Sequence, residues 1–302
     1  MVEIEVDMRR SVCVVSLLAV LASCALTGVA AIAGSLGPEP AVPFGSAAPA
    51  GRNDTLRVVT YNVGAFCKPG HSTLQEVVAM MQEVGADAVC LNELDRRVPR
   101  SGGVYQLKRF ASGMGLWDFE FAPAISFMGG RYGVGLAWSR RLRGRNAQHI
   151  TLPRGDGSEQ RALGVVELER FVLATTHLDY KTLSARLGQV RAIDDFFASR
   201  YASCDRPVIL CGDFNCVPDD PAMDLLRESW IVLSPSDFTF PSDKPYECID
   251  YIMVWKGNLP EGGLEAFGLS VAGCRVLTSL SSGDLTTASD HLPVMLEIVV
   301  DK

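Results

Sequence analysis

The stretch FVLATTHLDYKTLSARLGQVRAIDDFFASRYASCDRPVILCGDFN, residues 171–215, contains a complete strand–helix–strand unit. Phe171 to Thr176 and Pro207 to Cys211 are short, apolar runs that predict buried strands. Between them, Leu183 to Tyr201 carries apolar residues at helical spacing. Polar side chains follow each predicted strand directly: His177 and Asp179 follow the first, and Asp213 and Asn215 follow the second.

Similar apolar runs lie on both sides of this unit. Further strands are predicted at Leu56 to Tyr61, Ala86 to Leu91, Gly133 to Trp138, Leu163 to Glu167, Ile249 to Val254 and Val294 to Val300. A second helix is predicted between the first two of these strands, from about Ser72 to Val84. Hairpins mixed with strand–helix units indicate an α/β fold of two packed, largely antiparallel sheets with outer helices.

Composition excludes several classes of protein. The chain has 302 residues with a formal net charge of −7, which argues against a protein that coats duplex nucleic acid. The nine cysteines show neither CxxC pairs nor a Cys/His ladder, so structural zinc and a dense disulfide scaffold have no support. Cys216 and Cys248 are one candidate pair for a disulfide after export.

The N-terminal 33 residues have the layout of an export signal. Every residue from Ser11 to Ala33 is apolar, small or hydroxylic, and two arginines stand directly before this run. Met8 is the better start, because starting at Met1 places three acidic residues ahead of the arginines. Three fates remain open: cleavage after Ala33, lipid attachment at Cys24, or retention as a membrane anchor. All three send the rest of the chain across a membrane.

Residues 34–54 are rich in proline, glycine and alanine, which suit neither a helix nor a sheet. We interpret them as a linker. The folded unit then spans residues 55–302, a length that one α/β domain can fill.

Nine polar side chains stand where predicted strands begin or end: Asn62, Glu93, His177, Asp179, Asp213, Asn215, Asp250, Asp290 and His291. Each alone has an ordinary structural explanation, such as a self-capping turn or a helix cap. Buried carboxylates, amides and imidazoles are nevertheless costly unless they are paired or bound to a metal. Because strand ends converge on one rim of such a fold, the ordered set favours a single site.

Oxygen ligands predominate in this set, since Glu93, Asp213 and Asp290 are carboxylates and Asn62 and Asn215 are amides. Such ligands suit a hard cation, Mg²⁺ or Mn²⁺, better than zinc. A hard cation clamps phosphoryl oxygens and offsets the charge that develops during in-line attack, so cleavage of a phosphate ester is the reaction that this set favours. The two histidines and Asp250 are candidates for proton transfer.

The same ordered residues, including Asp213-Phe214-Asn215 and Ser289-Asp290-His291, resemble the endonuclease/exonuclease/phosphatase superfamily. This metal-dependent group contains DNase I, abasic-site endonucleases, sphingomyelinases and inositol-phosphate phosphatases. The segments Gly133-Val134-Gly135-Leu136 and Arg186 with Gln189 also resemble parts of that family. The resemblance implies a four-layer α/β sandwich in which two mostly antiparallel sheets are flanked by helices.

The resemblance also implies a role for each residue on the metal side of the site. Glu93 is expected to be the main metal ligand with Asp290 beside it, and Asn62 and Asp213 belong to the same ligand set. Asp213 would orient or deprotonate the attacking water. Asn62 and Asn215 would position the water, the carboxylates and a phosphate oxygen.

On the proton-transfer side, the resemblance implies that Asp250 holds the His291 imidazole in one tautomer and supports its charged form. His291 would then stabilise the pentacoordinate phosphate. His177 would bind a non-bridging oxygen or help the leaving group. Asp179 would contact the leaving-group side or cap its loop.

The functional hypothesis is therefore an exported Mg²⁺-dependent phosphoesterase, preferably a phosphodiesterase, and we expect a monomer. The alternatives are a DNA-specific endonuclease, a phosphate-binding module without catalysis, and a scaffold whose polar groups merely satisfy one another. Nucleic acid, a phospholipid head group and an inositol phosphate all remain open as substrates. The most basic stretch, Arg96, Arg97, Arg100 and Lys108, either meets phosphate or forms a solvated flank.

Intact-mass analysis of the exported protein separates the three fates of the N-terminal segment. A mass that lacks residues 1–33 would identify cleavage after Ala33. A diacylated chain beginning at Cys24, or a full-length chain in the membrane fraction, would identify one of the other two fates. A full-length chain in the cytoplasm would contradict export altogether.

Overall fold

Two six-stranded sheets lie face to face, with helices on their outer surfaces. The computed structural model describes residues 55–68 and 70–301. The predictions for an export segment and a linker concern residues 1–54, which lie outside the described residues. Within the described part, no helix combines the length and apolar character that a membrane span requires.

The described residues form twelve strands: β1 (Thr55–Asn62), β2 (Ala88–Arg96), β3 (Trp117–Phe127), β4 (Gly130–Ser139), β5 (Arg145–Leu152), β6 (Arg161–Glu167), β7 (Val172–His177), β8 (Val208–Asp213), β9 (Trp230–Val232), β10 (Asp250–Trp255), β11 (Leu269–Val276) and β12 (Val294–Val300). They also form five α-helices: α1 (Leu74–Glu83), α2 (Gln106–Gly113), α3 (Leu183–Tyr201), α4 (Pro221–Ser229) and α5 (Leu285–Ala288). Short 3₁₀ helices occur at Gly64–Phe66, Pro99–Ser101, Arg140–Leu142 and Gly263–Phe267.

The strand order is β11-β12-β1-β2-β4-β3 in the first sheet and β5-β6-β7-β8-β10-β9 in the second. Each sheet contains one parallel pair, β1 with β2 and β7 with β8. The other neighbours are antiparallel. A crossover helix joins the strands of each parallel pair, α1 in the first sheet and α3 in the second. The predicted arrangement of two largely antiparallel sheets is confirmed.

Three hydrophobic layers hold the four structural layers together. Side chains such as Val58, Leu173 and Ile252 are fully buried between the sheets. A second cluster packs α1 and α2 on the first sheet, and a third packs α3 and α4 on the second. In the third, the Phe197 ring of α3 meets the Trp230 ring edge-on, with centroids 5.4 Å apart. Each such buried side chain contributes about 1.5–3 kcal/mol to folding.

The eight strands predicted from the sequence are the eight interior strands, β1, β2, β4, β6, β7, β8, β10 and β12. The four that the sequence analysis missed, β3, β5, β9 and β11, are the edge strands of the two sheets. Helix α3 has the predicted bounds, and Thr182 caps it by accepting a hydrogen bond from the Ala185 amide. Helices α2, α4 and α5 were not predicted.

The candidate disulfide between Cys216 and Cys248 is wrong, because both residues are buried free thiols. Instead, the Tyr251 hydroxyl lies between the carbonyl oxygens of the two residues, 2.9 Å from Cys216 and 2.7 Å from Cys248. The segments that carry the two cysteines are therefore joined through a tyrosine.

Gly212 lies where β7 and β8 approach each other. Its φ of +148° is unfavourable for side chains, and a Cβ atom there would lie 1.9 Å from the Thr176 carbonyl oxygen. Thr176 is its partner in the parallel register. Glycine at this position therefore permits the close pairing of the two strands whose ends carry His177 and Asp213.

We expect Gly212→Ala to lower the free energy of unfolding by about 3 kcal/mol, since the new methyl group clashes with backbone that cannot move away cheaply. Thermal unfolding measures this loss. Gly188→Ala on α3 is the matched control, because a Cβ there meets nothing closer than 3.9 Å and should stabilise the helix by up to about 1 kcal/mol. Equal midpoints for the two variants would contradict the expectation.

Candidate active site

Both sheets contribute polar side chains to one rim. Asn62 is the last residue of β1, His177 the last of β7 and Asp213 the last of β8. Asp250 is the first residue of β10, which runs antiparallel to β8, so it pairs directly with Asp213. His291 precedes β12, which runs antiparallel to β1. The side chains therefore meet at one rim, as the ends of the predicted strands indicated.

Glu93 reaches this rim through a local distortion of the β2 backbone. The predicted strand ended at Leu91, before Glu93, but β2 continues to Arg96. The register of β2 against β4 shifts between Leu91 and Leu94, and Glu93 has a φ of +60°. A left-handed conformation is unfavourable for glutamate and is often found at functional sites. This bulge gives Glu93 an orientation that a regular strand would not.

The Asn62 side chain joins the groups of the two sheets. Its amide nitrogen lies 3.2 Å from Glu93 Oε1 and 3.0 Å from Asp213 Oδ2. The same nitrogen lies 3.3 Å from His291 Nε2. Its oxygen accepts a hydrogen bond from the Gly64 amide, which fixes the side chain from the other end. Glu93 and His291 therefore share one neighbour although they are far apart in sequence.

His291 is held in its charged form. Its Nδ1 lies 2.8 Å from Asp250 Oδ2, and that oxygen also accepts a hydrogen bond of 2.6 Å from the Thr239 hydroxyl. Burial alone would lower the pKa of His291, but the carboxylates of Asp250 and Asp213 outweigh burial and raise it to about 10. At neutral pH, His291 is therefore an imidazolium.

Asp213 is a buried carboxyl group whose pKa lies near neutral pH. Its Oδ1 accepts a hydrogen bond from the Asn215 amide at 2.9 Å, and its Oδ2 lies 3.7 Å from His291 Nε2. Burial raises the pKa of Asp213 to about 7, and the charge of His291 limits that rise. The carboxyl group can therefore exchange a proton at neutral pH.

His177 is the second imidazole of the rim, and it is neutral. Its Nε2 lies 3.4 Å from Asp213 Oδ2. Burial lowers its pKa well below the ordinary value, and the charges of Arg161 and His291 lower it further. A neutral imidazole can donate one hydrogen bond and accept another.

Glu93 and Asp290 form the partly exposed floor of the site. Burial raises the pKa of Glu93, and the negative charge of Asp290 raises it further. Among the described residues, neither carboxylate is within ion-pair distance of a lysine, arginine or histidine. Two neighbouring carboxylates without a cationic partner are the donors that a divalent cation prefers.

Asp213, Asp250 and His291 form a second group with metal-ligand character, because one ligand atom from each lies within 4.8 Å of the others. All three residues are buried. Without a metal, Asp250 and Asp213 keep His291 protonated, so a metal at this group would have to displace that proton. The hydrogen bond to Asp250 occupies His291 Nδ1, whereas Glu93 and Asp290 each keep one carboxylate oxygen that accepts no hydrogen bond from the described residues.

Asp179 lies beside the rim but is fully engaged in holding a loop. Its Oδ2 accepts hydrogen bonds of 2.7 Å from both the amide and the hydroxyl of Ser158, and its Oδ1 accepts from the amides of Lys181 and Thr182. The Gln189 side chain accepts a hydrogen bond from its amide. Asp179 was expected either to contact the leaving-group side or to cap its loop. These contacts are those of a loop cap.

Asn215 also has a left-handed backbone, with a φ of +50°. Its amide nitrogen Nδ2 donates a hydrogen bond of 3.0 Å to the Leu178 carbonyl oxygen. Since its backbone amide donates to Asp213, Asn215 links the β8 end to the loop after β7. The structure thus brings Asn215 next to the predicted site residues.

Asn92 is a site residue that the sequence analysis missed. It is fully buried on β2, donates a hydrogen bond of 2.8 Å to the Thr176 carbonyl oxygen and accepts one of 3.1 Å from the Asp213 amide. It therefore ties the first sheet to both parallel strands of the second. The available signal was an amide inside the apolar run AVCLN, directly before Glu93.

The loop at residues 239–247 supports the rim through its inner residues. Thr239 binds Asp250, and the Ser242 amide donates to the Asp290 carbonyl oxygen at 2.7 Å. The Ser242 hydroxyl donates to the Ser289 carbonyl oxygen at 2.6 Å. These contacts hold the Ser289-Asp290-His291 segment from outside the sheet, and no sequence signal indicated them.

Solved structures resemble this fold. The mannosyl-6-phosphatase Bt3783 of Bacteroides thetaiotaomicron VPI-5482 superposes with a TM-score of 0.63 at 18% identity, covering 81% of this chain and 99% of that one. The human Nocturnin catalytic domain with bound sulfate gives 0.59 at 18% identity, covering 82% and 94%. ANGEL2, a 2',3'-cyclic phosphatase, gives 0.62 at 15% identity, covering 82% and 96%. At these identities the similarity establishes the four-layer fold.

No curated protein sequence matches the chain. A family model, that of the Endonuclease/Exonuclease/phosphatase family, matches residues 59–291. This range contains every rim residue described above, from Asn62 on β1 to His291 before β12. The predicted resemblance is confirmed: the chain belongs to the endonuclease/exonuclease/phosphatase family.

Proposed function

We propose that this protein is an exported hydrolase of phosphate esters that requires Mg²⁺ or Mn²⁺ and acts on phosphodiesters. The observation that carries the proposal is the contact of one amide, that of Asn62, with a carboxylate floor, a carboxyl group of pKa about 7 and an imidazolium. Hydrolysis of a phosphate ester by water needs these three kinds of group. Two of the similar structures, a mannosyl-6-phosphatase and a 2',3'-cyclic phosphatase, are enzymes of the same reaction class.

Glu93 and Asp290 would hold the cation. The unfavourable interaction of their charges, seen in the raised pKa of Glu93, is one that a divalent cation relieves. When bound there, such a cation offsets negative charge on the phosphoryl oxygens. Asn62 keeps the Glu93 carboxylate in place by donating to its Oε1.

Asp213 is the group that would deprotonate the attacking water. Its pKa of about 7 lies close to a neutral working pH, where a general base is most effective. Hydrogen bonds from Asn62 and from the Asn215 amide fix both of its oxygens. The attacking water is thereby oriented by a rigid carboxylate.

His291 would stabilise the charge that builds up on the phosphate in the transition state. Its imidazolium is maintained by Asp250, so it can donate a hydrogen bond to a phosphate oxygen without first taking up a proton. The neutral His177 would donate to a second oxygen or assist the departing group.

The charge of the site favours a diester over a monoester. Four carboxyl groups, those of Glu93, Asp213, Asp250 and Asp290, surround a single imidazolium, so the formal charge of the site is about −3 without a cation and about −1 with a divalent cation bound. A diester carries one negative charge, whereas a monoester carries nearly two at neutral pH and is repelled more strongly. This comparison supports the phosphodiesterase assignment.

We expect bis-p-nitrophenyl phosphate to be hydrolysed in the presence of Mg²⁺ and hydrolysis to stop with EDTA. Glu93→Gln should lower kcat/KM by about a hundredfold or more, because the variant loses a charged ligand. Mg²⁺ should also raise the thermal midpoint of the wild type and leave that of Glu93→Gln unchanged, since only binding to the folded state stabilises it.

Glu228→Gln is the matched control, as Glu228 is an exposed glutamate on α4. It should change neither kcat/KM nor the response to Mg²⁺. Turnover that is insensitive to EDTA and to Glu93→Gln would contradict the proposal. Binding of phosphate without turnover of bis-p-nitrophenyl phosphate or of natural esters would favour the non-catalytic module instead.

We expect kcat/KM of the wild type to fall on the alkaline side only as pH approaches 10, where His291 loses its proton. Asp250→Asn removes the largest influence that raises the pKa of His291, and burial then lowers it. The alkaline limb should therefore move to lower pH, with kcat/KM at pH 9 reduced roughly tenfold or more.

Asp243→Asn, at an exposed position in the loop that carries Thr239, is the control and should keep the wild-type pH profile. A uniform loss of activity at every pH in Asp250→Asn would show that Asp250 is merely structural. The pH profile therefore separates a positioning role from a loss of folding.

A further inference from the structure

A second concave feature lies outside the catalytic rim described above. It is a pocket of about 360 Å³ lined by Arg96, Arg97, Gly129, Gly130 and Arg131, which we call the arginine pocket. It lies between the end of β2 and the tight turn that joins β3 to β4. All three arginines are exposed.

The backbone of the arginine pocket is closely packed. Arg96 on β2 and Arg131 on β4 are directly paired across the antiparallel register, so their side chains lie on the same face of the sheet. A Cβ atom at Gly130 would lie 2.6 Å from the carbonyl oxygens of both Arg96 and Arg97, so the turn can pack there only because this residue is glycine. Arg96 and Arg131 are thus presented by paired strands, and Arg97 follows directly after the end of β2.

The charges of the arginine pocket are not compensated. In the described part of the chain, Arg96, Arg97 and Arg131 form no ion pair. Arg100 is different, because Asp95 binds it through two hydrogen bonds of 2.9 and 3.0 Å. Three free guanidinium groups around one pocket stand out in a chain of net charge −7.

Two of the three side chains are positioned by neighbours that leave their charge available. The Arg96 guanidinium lies over the Tyr105 ring, 4.8 Å from its centroid. Arg131 donates a hydrogen bond of 2.7 Å to the neutral hydroxyl of Ser126. Guanidinium groups held in this way suit the paired oxygens of a phosphate, with which arginine forms bidentate hydrogen bonds.

The arginine pocket lies at the same end of the first sheet as the rim. Arg96 is three residues beyond Glu93 on β2, so the Cα atoms of the two residues are no more than roughly 10 Å apart. Arg96 packs over Tyr105, in the layer of α1 and α2, whereas Glu93 contacts Asn62 at the rim, so a ligand that reaches both sites must pass over the edge of the sheet. A phosphate group in the pocket would therefore be a different group from the one that is hydrolysed.

We propose that the arginine pocket binds a second phosphate group of the substrate, so that the substrate carries at least two phosphates and is long enough to span the edge of the first sheet between the rim and the pocket. This inference rests on the proposed function, because the ligand is a substrate only if the protein is a phosphoesterase. Phosphate binding in the pocket does not itself require catalysis. The second phosphate has two possible sources, the backbone of a single-stranded polynucleotide and a small polyphosphorylated molecule.

The test compares the wild type, an Arg97→Gln/Arg131→Gln double variant and the control Arg191→Gln. Arg191 is an exposed arginine on α3, the helix layer of the other sheet. Binding of hexathymidylate and of inositol hexakisphosphate is measured by isothermal titration calorimetry. Loss of two charged hydrogen-bonding groups should weaken binding of at least one probe by about tenfold or more in the double variant, and not in the control.

The probe that responds identifies the source of the second phosphate. Equal affinity of the wild type and the double variant for both probes would overturn the proposal. Hydrolysis of bis-p-nitrophenyl phosphate, which has no second phosphate, should be the same in all three proteins. A parallel loss of this hydrolysis in the double variant would show that the arginines maintain the rim and would also overturn it.

Different results would contradict the proposed function and the proposed phosphate binding in the arginine pocket. Suppose that the wild type does not hydrolyse bis-p-nitrophenyl phosphate but binds a probe through Arg97 and Arg131. The proposed hydrolase activity is then wrong, and phosphate binding in the arginine pocket is confirmed. If hydrolysis occurs and binding of neither probe depends on the arginines, phosphate binding in the pocket is wrong and the proposed activity is confirmed.

Discussion

Two neighbouring amides, Asn62 and Asn92, fasten the two sheets to each other at the rim. They are partners in the parallel register of β1 and β2. Asn92 reaches across to the backbone of Thr176 and Asp213, while Asn62 reaches the Asp213 side chain. Sheets that pack through apolar side chains alone can slide by small amounts, whereas buried hydrogen bonds allow one relative position. The distances between rim groups from different sheets depend on this attachment.

With the sheets held in place, the local charges determine the protonation of each group. His291 and His177 both lie within 4 Å of Asp213, but they have opposite protonation states. Asp250 contacts His291 and keeps it charged, while burial and the charge of Arg161 keep His177 neutral. One site therefore contains an imidazole that is charged at neutral pH and one that is neutral, the two states that the proposed reaction would use to stabilise charge and to transfer a proton.

The sequence could predict the interior of this fold far better than its borders. Interior strands such as β8 are covered on both faces and read as continuous apolar runs, whereas the edge strands β3, β5, β9 and β11 are only partly buried and lack that signal. The rim residues were predictable because polar groups after apolar runs are conspicuous. The bulge at Glu93 and the inter-sheet contact of Asn92 were not, since both depend on partners distant in sequence.

The net charge of −7 argues against a protein that coats duplex nucleic acid. It does not determine the electrostatic potential at a single site on the surface. At physiological ionic strength the field of an exposed charge is largely screened beyond about 8 Å. A phosphate at the rim is therefore governed by the groups within about that distance, not by the acidic residues of the opposite surface. In the arginine pocket those nearby groups are Arg96, Arg97 and Arg131, none of which is neutralised by a carboxylate in the described residues. Composition therefore excludes uniform coating of a nucleic acid, while a compact phosphate-bearing substrate remains compatible with an acidic protein.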